Sequence, residues 1–220
     1  MFLVWFIAMA SKIFPEAQYH VSVSDAPLHT TFDPKVPAVL KVQPGDLFHV
    51  ETVDCYSRLI TPENPNTARL KRSQLNPVTG PIFVEGALPG DILAVTLHDI
   101  KPEGPGIACC GPHSGQLCHL VQTPTTRFFD IDDKDVVTMR DIQSTTTRRA
   151  MISFPMRPML GVIGVAPSGL EPISTMPAGK HGGNLDNKLN GIGSTIYIPV
   201  NHPGGLLSIG DMHASQGMYI

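Results

Sequence analysis

The 220-residue sequence predicts a mainly β protein, an antiparallel sandwich or barrel-like arrangement. Three observations carry that prediction. Glycine and proline, 20 and 21 residues, are spread along the chain without a triplet period, which excludes collagen and a bundle of long helices. The apolar runs are short, rich in β-branched or aliphatic residues, and bounded by Gly or Pro. The helical crossovers that a parallel sheet needs are not evident in the pattern.

From the N-terminus, the first apolar run is Phe2 to Ala8, and Ala8-Met9-Ala10 imitates a signal-peptidase site. No positive charge precedes the run, it is short for export, and it is far from the ~20 residues of a membrane-spanning helix. Met9-Ala10-Ser11-Lys12 reads as an ordinary cytosolic start. The expectation is a cytoplasmic protein in which residues 1–8 are a non-structural extension and residues 9–220 form one β-rich domain. Next, Pro44 to Asp54 and Pro89 to Asp99 echo each other: each is a Pro-Gly-Asp turn followed by an alternating strand ending in aspartate. Two copies are too few for a solenoid. The period of two puts Phe48, Val50, Thr52 and Asp54 on one face and Leu47, His49, Glu51 and Val53 on the other. In the second copy it aligns Leu93, Val95, Leu97 and Asp99. Asp54 therefore ends the more apolar row, where a carboxylate is costly unless a cation or hydrogen-bond donors satisfy it. Further strands are expected at Pro81–Val84, Met159–Val165, Thr195–Val200 and Leu206–Ile209. In Lys134–Met151, Val136, Val137 and Thr145 to Thr147 argue against a long helix.

A net charge of −3 with 16% charged residues excludes an acidic or basic disordered tail and leaves no electrostatic footprint for nucleic acid. Cys55, Cys109, Cys110 and Cys118 do not make a disulfide framework at this length and read as reduced thiols. The cluster Cys109, Cys110, His113, Cys118 and His119 offers zinc donors, but its spacing matches no familiar knuckle. Gly161-Val162-Ile163-Gly164 lacks the third glycine and the helix of a dinucleotide loop, and there is no nucleophile elbow or phosphate loop. His20, His29, His49, His98 and His202 read as surface or turn histidines.

The C-terminal third holds the densest set of possible ligands. Pro177 to Asp186 is a glycine-rich loop that lets His181 and Asp186 point at one centre. After it, Leu206–Ile209 runs into Gly210-Asp211-Met212-His213, where residues two apart share a face and Asp211 and His213 converge. Nitrogen and carboxylate donors together suit zinc or a similar divalent cation. The plainer reading is that Asp211 ends a strand and His181 bonds a loop carbonyl.

Several segments in order resemble the acetamidase/formamidase family: Asn76-Pro77-Val78-Thr79-Gly80-Pro81-Ile82-Phe83-Val84-Glu85-Gly86-Ala87 with the following Pro-Gly-Asp, Pro158 to Pro167, His181-Gly182-Gly183-Asn184-Leu185-Asp186, and Gly210-Asp211-Met212-His213-Ala214. The resemblance runs from about Tyr19 to Gly217. It implies a mainly β fold, homo-oligomeric assembly and hydrolysis of a small linear amide to carboxylate and ammonia. Members continue after the His-Ala-x-Gln-Gly stretch into Asp-Gly-Glu and an α/β segment, whereas this chain reads Gln216-Gly217-Met218-Tyr219-Ile220. The expectation is a C-terminally truncated member, weakly active or inactive alone.

Amide hydrolysis must overcome a resonance-stabilised carbonyl and a poor leaving group, and a divalent cation helps with both water and carbonyl. With that chemistry in view, Asp54, His181, Asp186 and His213 are the candidate metal ligands, zinc being the first choice and calcium the second. Glu85 is the candidate proton shuttle to the departing nitrogen, against a role bracing turn amides. Asn184 either orients substrate or carries a loop hydrogen bond. No nucleic-acid or membrane partner is expected. Two rivals remain: a catalytically silent remnant keeping metal binding or oligomer contacts, and a metal-dependent oxygenase on a β-sandwich.

Overall fold

The structure, a computed structural model, describes residues 2–7, 17–112, 118–139 and 152–216. Among them the regular elements are strands and three single-turn 3-10 helices. Strands are numbered along the chain. One five-stranded sheet has the order β15 (Thr195–Pro199), β7 (Ile92–Asp99), β1 (Phe2–Ile7), β5 (Leu47–Val50) and β2 (Tyr19–Val21). A second runs β14 (Gly182–Asn184), β12 (Met159–Gly164), β16 (Leu207–His213), β6 (Val78–Val84) and β4 (Leu40–Val42). A third holds β11 (Ser153–Pro155), β10 (Val136–Met139), β9 (Thr125–Ile131) and β8 (Gly106–Cys110), and a small ribbon pairs β13 (Ile173–Ser174) with β3 (Thr31–Phe32). No helix among the described residues is long and apolar enough to cross a membrane.

The first two sheets face each other across the main core. Phe48, Val50, Leu93, Val95 and Leu97 from one meet Ile82, Val84, Leu160, Ile163, Leu207 and Ile209 from the other, all essentially buried. The alternation expected around residues 48 and 93 therefore sorts inside from outside, and antiparallel ladders dominate. Parallel pairs occur where β1 lies beside β5 and β7, β2 beside β5, and β4 beside β6.

Two expectations need correction. Phe2–Ile7 is not an appendage. It lies inside the first sheet, with Phe2 opposite Leu93, Trp5 opposite both Thr96 and Leu47, and Phe6 opposite Phe48. An uninterrupted Phe-Leu-Val-Trp-Phe-Ile run is what a central, parallel-paired strand reads like. In the second correction, the strand after Pro44 stops at Val50, so Thr52 and Asp54 do not continue its buried row. Backbone N–H groups of Tyr56 and Arg58 donate to the two Asp54 carboxylate oxygens at 2.8 and 2.9 Å, closing a turn instead. The echo survives at the other end of each copy: Gln43 N–H donates to Asp46 and Leu88 N–H to Asp91, at 2.7 and 2.9 Å. In the stretch 134–151, Val136–Met139 is a strand, and residues 140–151 lie outside the described residues.

Candidate metal centre

In the second sheet β12 lies between β14 and β16 and is buried throughout its length. In its middle Gly161 serves the site in two ways, the second of which only a glycine allows. Its carbonyl accepts the backbone N–H of both Leu185 (2.9 Å) and Asp186 (3.1 Å), fixing the turn that follows β14. Its missing side chain leaves room on the other flank: a Cβ there would lie 2.8 Å from the Asp211 carbonyl oxygen, 2.9 Å from His213 Nε2 and 3.0 Å from Asp211 Oδ2. The ladder between β12 and β16 pairs Leu160 with Met212 and Val162 with Gly210, and skips the residues between. At that skip Asp211 takes a φ of +52°, and across β12 Asp186 takes +45°. Left-handed backbone is tolerable for Asp and costs a β-branched residue far more.

These distortions bring three donors together. One ligand atom from each of Asp186, Asp211 and His213 lies within 4.8 Å of the other two, the sole such group among the described residues. His213 Nε2 is 3.2 Å from Asp211 Oδ2 and 3.5 Å from Asp186 Oδ1. On the far side of its ring, Nδ1 donates to Gln216 Oε1 at 2.7 Å in the tautomer that leaves the Nε2 lone pair for the carboxylate side. Asn184 Nδ2 donates to Asp186 Oδ2 at 3.1 Å. Both Asp186 Oδ1 and Asn184 Oδ1 are buried without a hydrogen-bond partner.

The electrostatics follow from two carboxylates crowded beside one imidazole. Burial alone would lower the His213 pKa. The hydrogen bond and charge of Asp211, then the charge of Asp186, outweigh burial and raise it to about 8. Asp186 is pushed up, first by burial and then by the Asp211 charge, against the pull of His213 and Asn184. Beside the centre, the Cys55 thiol is pushed strongly up by burial and then by Asp211 and Asp54, so it stays neutral and offers no thiolate nucleophile.

Of the residues singled out from the sequence, Asp186, Asn184 and His213 meet here. Asp211, recognised there only as converging with His213, completes the group; the spacing of two residues on one strand was its signal. Gly161 had a signal too, a glycine inside an apolar strand. The others lie elsewhere. His181 bonds through its carbonyl to Val165 N–H, four residues and so roughly 13 Å along β12 from Gly161. Its ring is buried edge-on against Phe32, with Nε2 unpartnered and the pKa lowered by burial. Asp54 braces its own turn. Glu85 is exposed in the turn after β6; Val78 pairs with Gly210, so Glu85 lies seven residues, roughly 20 Å, beyond the centre. The structure therefore does not bring Glu85 together with this centre. In the cysteine stretch, Cys109 and Cys110 lie on β8 and His113 lies outside the described residues.

Comparison with known proteins places this geometry in context. Residues 16–171 and 169–218 match the model of the Acetamidase/Formamidase family. A formamidase of Methylophilus methylotrophus is 28% identical over 240 residues, spanning 88% of this chain and 59% of its own length. An acetamidase of Mycolicibacterium smegmatis is 28% identical over 249 residues, 87% of this chain and 60% of its own. The crystal structure of an acetamidase from Bacillus halodurans superposes with a TM-score of 0.78 at 38% identity, covering 90% of this chain and 63% of that one. The chain thus spans about 60% of the length of these relatives.

Proposed function

Because the chain belongs to the acetamidase/formamidase family, we propose that it hydrolyses short linear amides of the formamide and acetamide class to carboxylate and ammonia, at the centre formed by Asp186, Asp211 and His213. The observation that carries this reading is the convergence of those three donors around Gly161.

The donor set fits a divalent cation. Two like charges share a half-buried place, and one Asp186 oxygen is buried without a hydrogen bond. Asp186, Asp211 and His213 would hold the ion. One nitrogen and two carboxylates suit zinc, whereas calcium prefers six to eight oxygens. Such an ion supplies polarisation of the amide carbonyl and a lowered pKa for bound water.

The chain's own groups account for the rest. Gln216 holds the His213 ring in orientation through Nδ1, and Asn184 holds Asp186 through Oδ2. The unpartnered Asn184 Oδ1 is free to accept an N–H of the amide, which orients the carbonyl carbon for attack. The test is ammonia release by the purified, zinc-loaded protein from formamide and acetamide. Asp211→Asn and Asp186→Asn should each lower the rate by ~10²–10⁴. Wild-type protein that releases no ammonia even when extended with a relative's C-terminal segment, or variants that match the wild type's rate, would overturn the proposal.

A further inference from the structure

The outer face of the first sheet carries a second cluster of metal-ligating side chains. β2 and β5 run parallel with His20 directly opposite His49, and the flanking pair Val21–Val50 points into the core. The two histidines therefore project together from the opposite face. Their Nδ1 atoms are 3.0 Å apart. That contact is a hydrogen bond in which one ring donates its Nδ1–H and the other accepts it, and the ring centroids lie 4.3 Å apart with the planes tilted 41°. The other nitrogen of His20, Nε2, lies 3.2 Å from Glu51 Oε1. Glu51 is itself anchored, because Ser22 Oγ and Val23 N–H donate to its second oxygen at 3.0 and 3.1 Å.

We propose that His20 and His49 form a metal site of their own, taking a late first-row divalent ion, copper(II) or nickel(II), through both Nδ1 atoms in cis. Glu51 is the positioning residue. By accepting the Nε2 proton it leaves Nδ1 of neutral His20 as the acceptor of the His49 Nδ1–H. An ion that takes both Nδ1 atoms replaces that one proton, which moves to His49 Nε2, in the carboxylate–histidine–metal pattern that fixes tautomer and ring orientation. Two imidazole nitrogens suit copper and nickel, and the affinity order of the divalent first-row ions peaks at copper(II). Glu103, whose charge acts on His49, adds negative potential beside the pair. The site is remote from the Asp186 centre and does not depend on amide hydrolysis.

The experiment is copper(II) titration of the chelator-stripped protein carrying Asp186→Asn and Asp211→Asn, followed by calorimetry and electron paramagnetic resonance. One equivalent should bind with a tetragonal spectrum showing coupling to two nitrogens. His49→Ala and His20→Ala should each weaken binding at least ~10-fold and leave one coupled nitrogen. Glu51→Gln should weaken it by ~10–100-fold while keeping both nitrogens, which a merely structural role would not do. If the Asn variants do not fold, the same comparison in the otherwise unmodified protein reads the difference. Copper affinity unchanged by His49→Ala, or a spectrum with fewer than two coupled nitrogens before any histidine is replaced, would overturn the proposal.

Discussion

At the scale of single residues, Gly161 decides whether the centre exists. A methyl group there meets Asp211 and His213 atoms at 2.8–3.0 Å, so Gly161→Ala must push β16 away or turn the His213 ring. The expected outcome is destabilisation by about 1–3 kcal/mol, the usual range for overpacking, together with loss of bound metal. Metal content by elemental analysis, alongside the melting temperature, checks it. Retained zinc at the wild-type level would show that the carboxylates can reassemble without the gap. His213 supplies a pH test in the metal-free protein. Its folded pKa, about 8, stands above the ordinary 6.5, so its partners stabilise the protonated form. That stabilisation is complete below pH ~6.5 and is lost as pH rises through 8, and the shift corresponds to on the order of 2 kcal/mol. The melting-temperature gap between wild type and His213→Gln should therefore shrink from pH 6 to pH 9. A gap that stays constant would mean that Asp211 and Asp186 do not hold the proton on His213.

At the scale of elements, the clearest consequence concerns β1. It lies between β5 and β7, so a chain starting at Met9 leaves both without their neighbour. Its removal should cost several kcal/mol and lower the melting temperature by roughly 10 °C or more, at ~2–4 °C per kcal/mol for a chain of this size. Equal melting temperatures for the two proteins would show that the sheet closes without it. The same element shows where sequence reading runs out. Period-two alternation identified the buried rows of β5 and β7, and short aliphatic runs bounded by Gly or Pro located β12 and β16, which are buried on both faces over most of their length. It cannot read a strand with no alternation, and β1 has none. Nor does periodicity report register. Glu85 directly follows β6 and Gly210-Asp211 lie on its neighbour β16, but only the pairing of Val78 with Gly210 shows that they sit at opposite ends. Asp54 failed for a local reason: an aspartate two residues before a free backbone N–H closes an Asx turn, which competes with any longer-range ligand role. Asp211 was half legible. Its spacing from His213 pointed to a shared site, whereas the left-handed kink that frees its carboxylate is a tertiary effect of Gly161.

At the scale of the whole molecule, the centre ties together elements far apart in sequence. Asp186 follows β14, Gly161 lies on β12, and Asp211 and His213 end β16, so an ion held there braces one end of the second sheet. An ion that binds only the folded chain stabilises it by RT ln(1 + [L]/Kd), about 2.7 kcal/mol at a hundredfold excess over Kd, or roughly 5–11 °C in melting temperature. The stabilisation should also have a place. Hydrogen exchange with saturating zinc should slow at backbone amides of β12, β14 and β16 and stay unchanged in the third sheet, which contributes none of the three ligands. The loop around Asp54 and Cys55 should join the protected set, because Asn76 N–H donates to the Cys55 carbonyl at 2.8 Å and so couples it to the start of β6, the neighbour of β16. Copper at His20 and His49 should instead protect β2 and β5, so the two sites are separable in one experiment. Zinc protection that is uniform across all three sheets, or that persists in Asp186→Asn, would remove the second sheet as the seat of the centre. The amide-hydrolysis reading would then lose the geometry on which it stands.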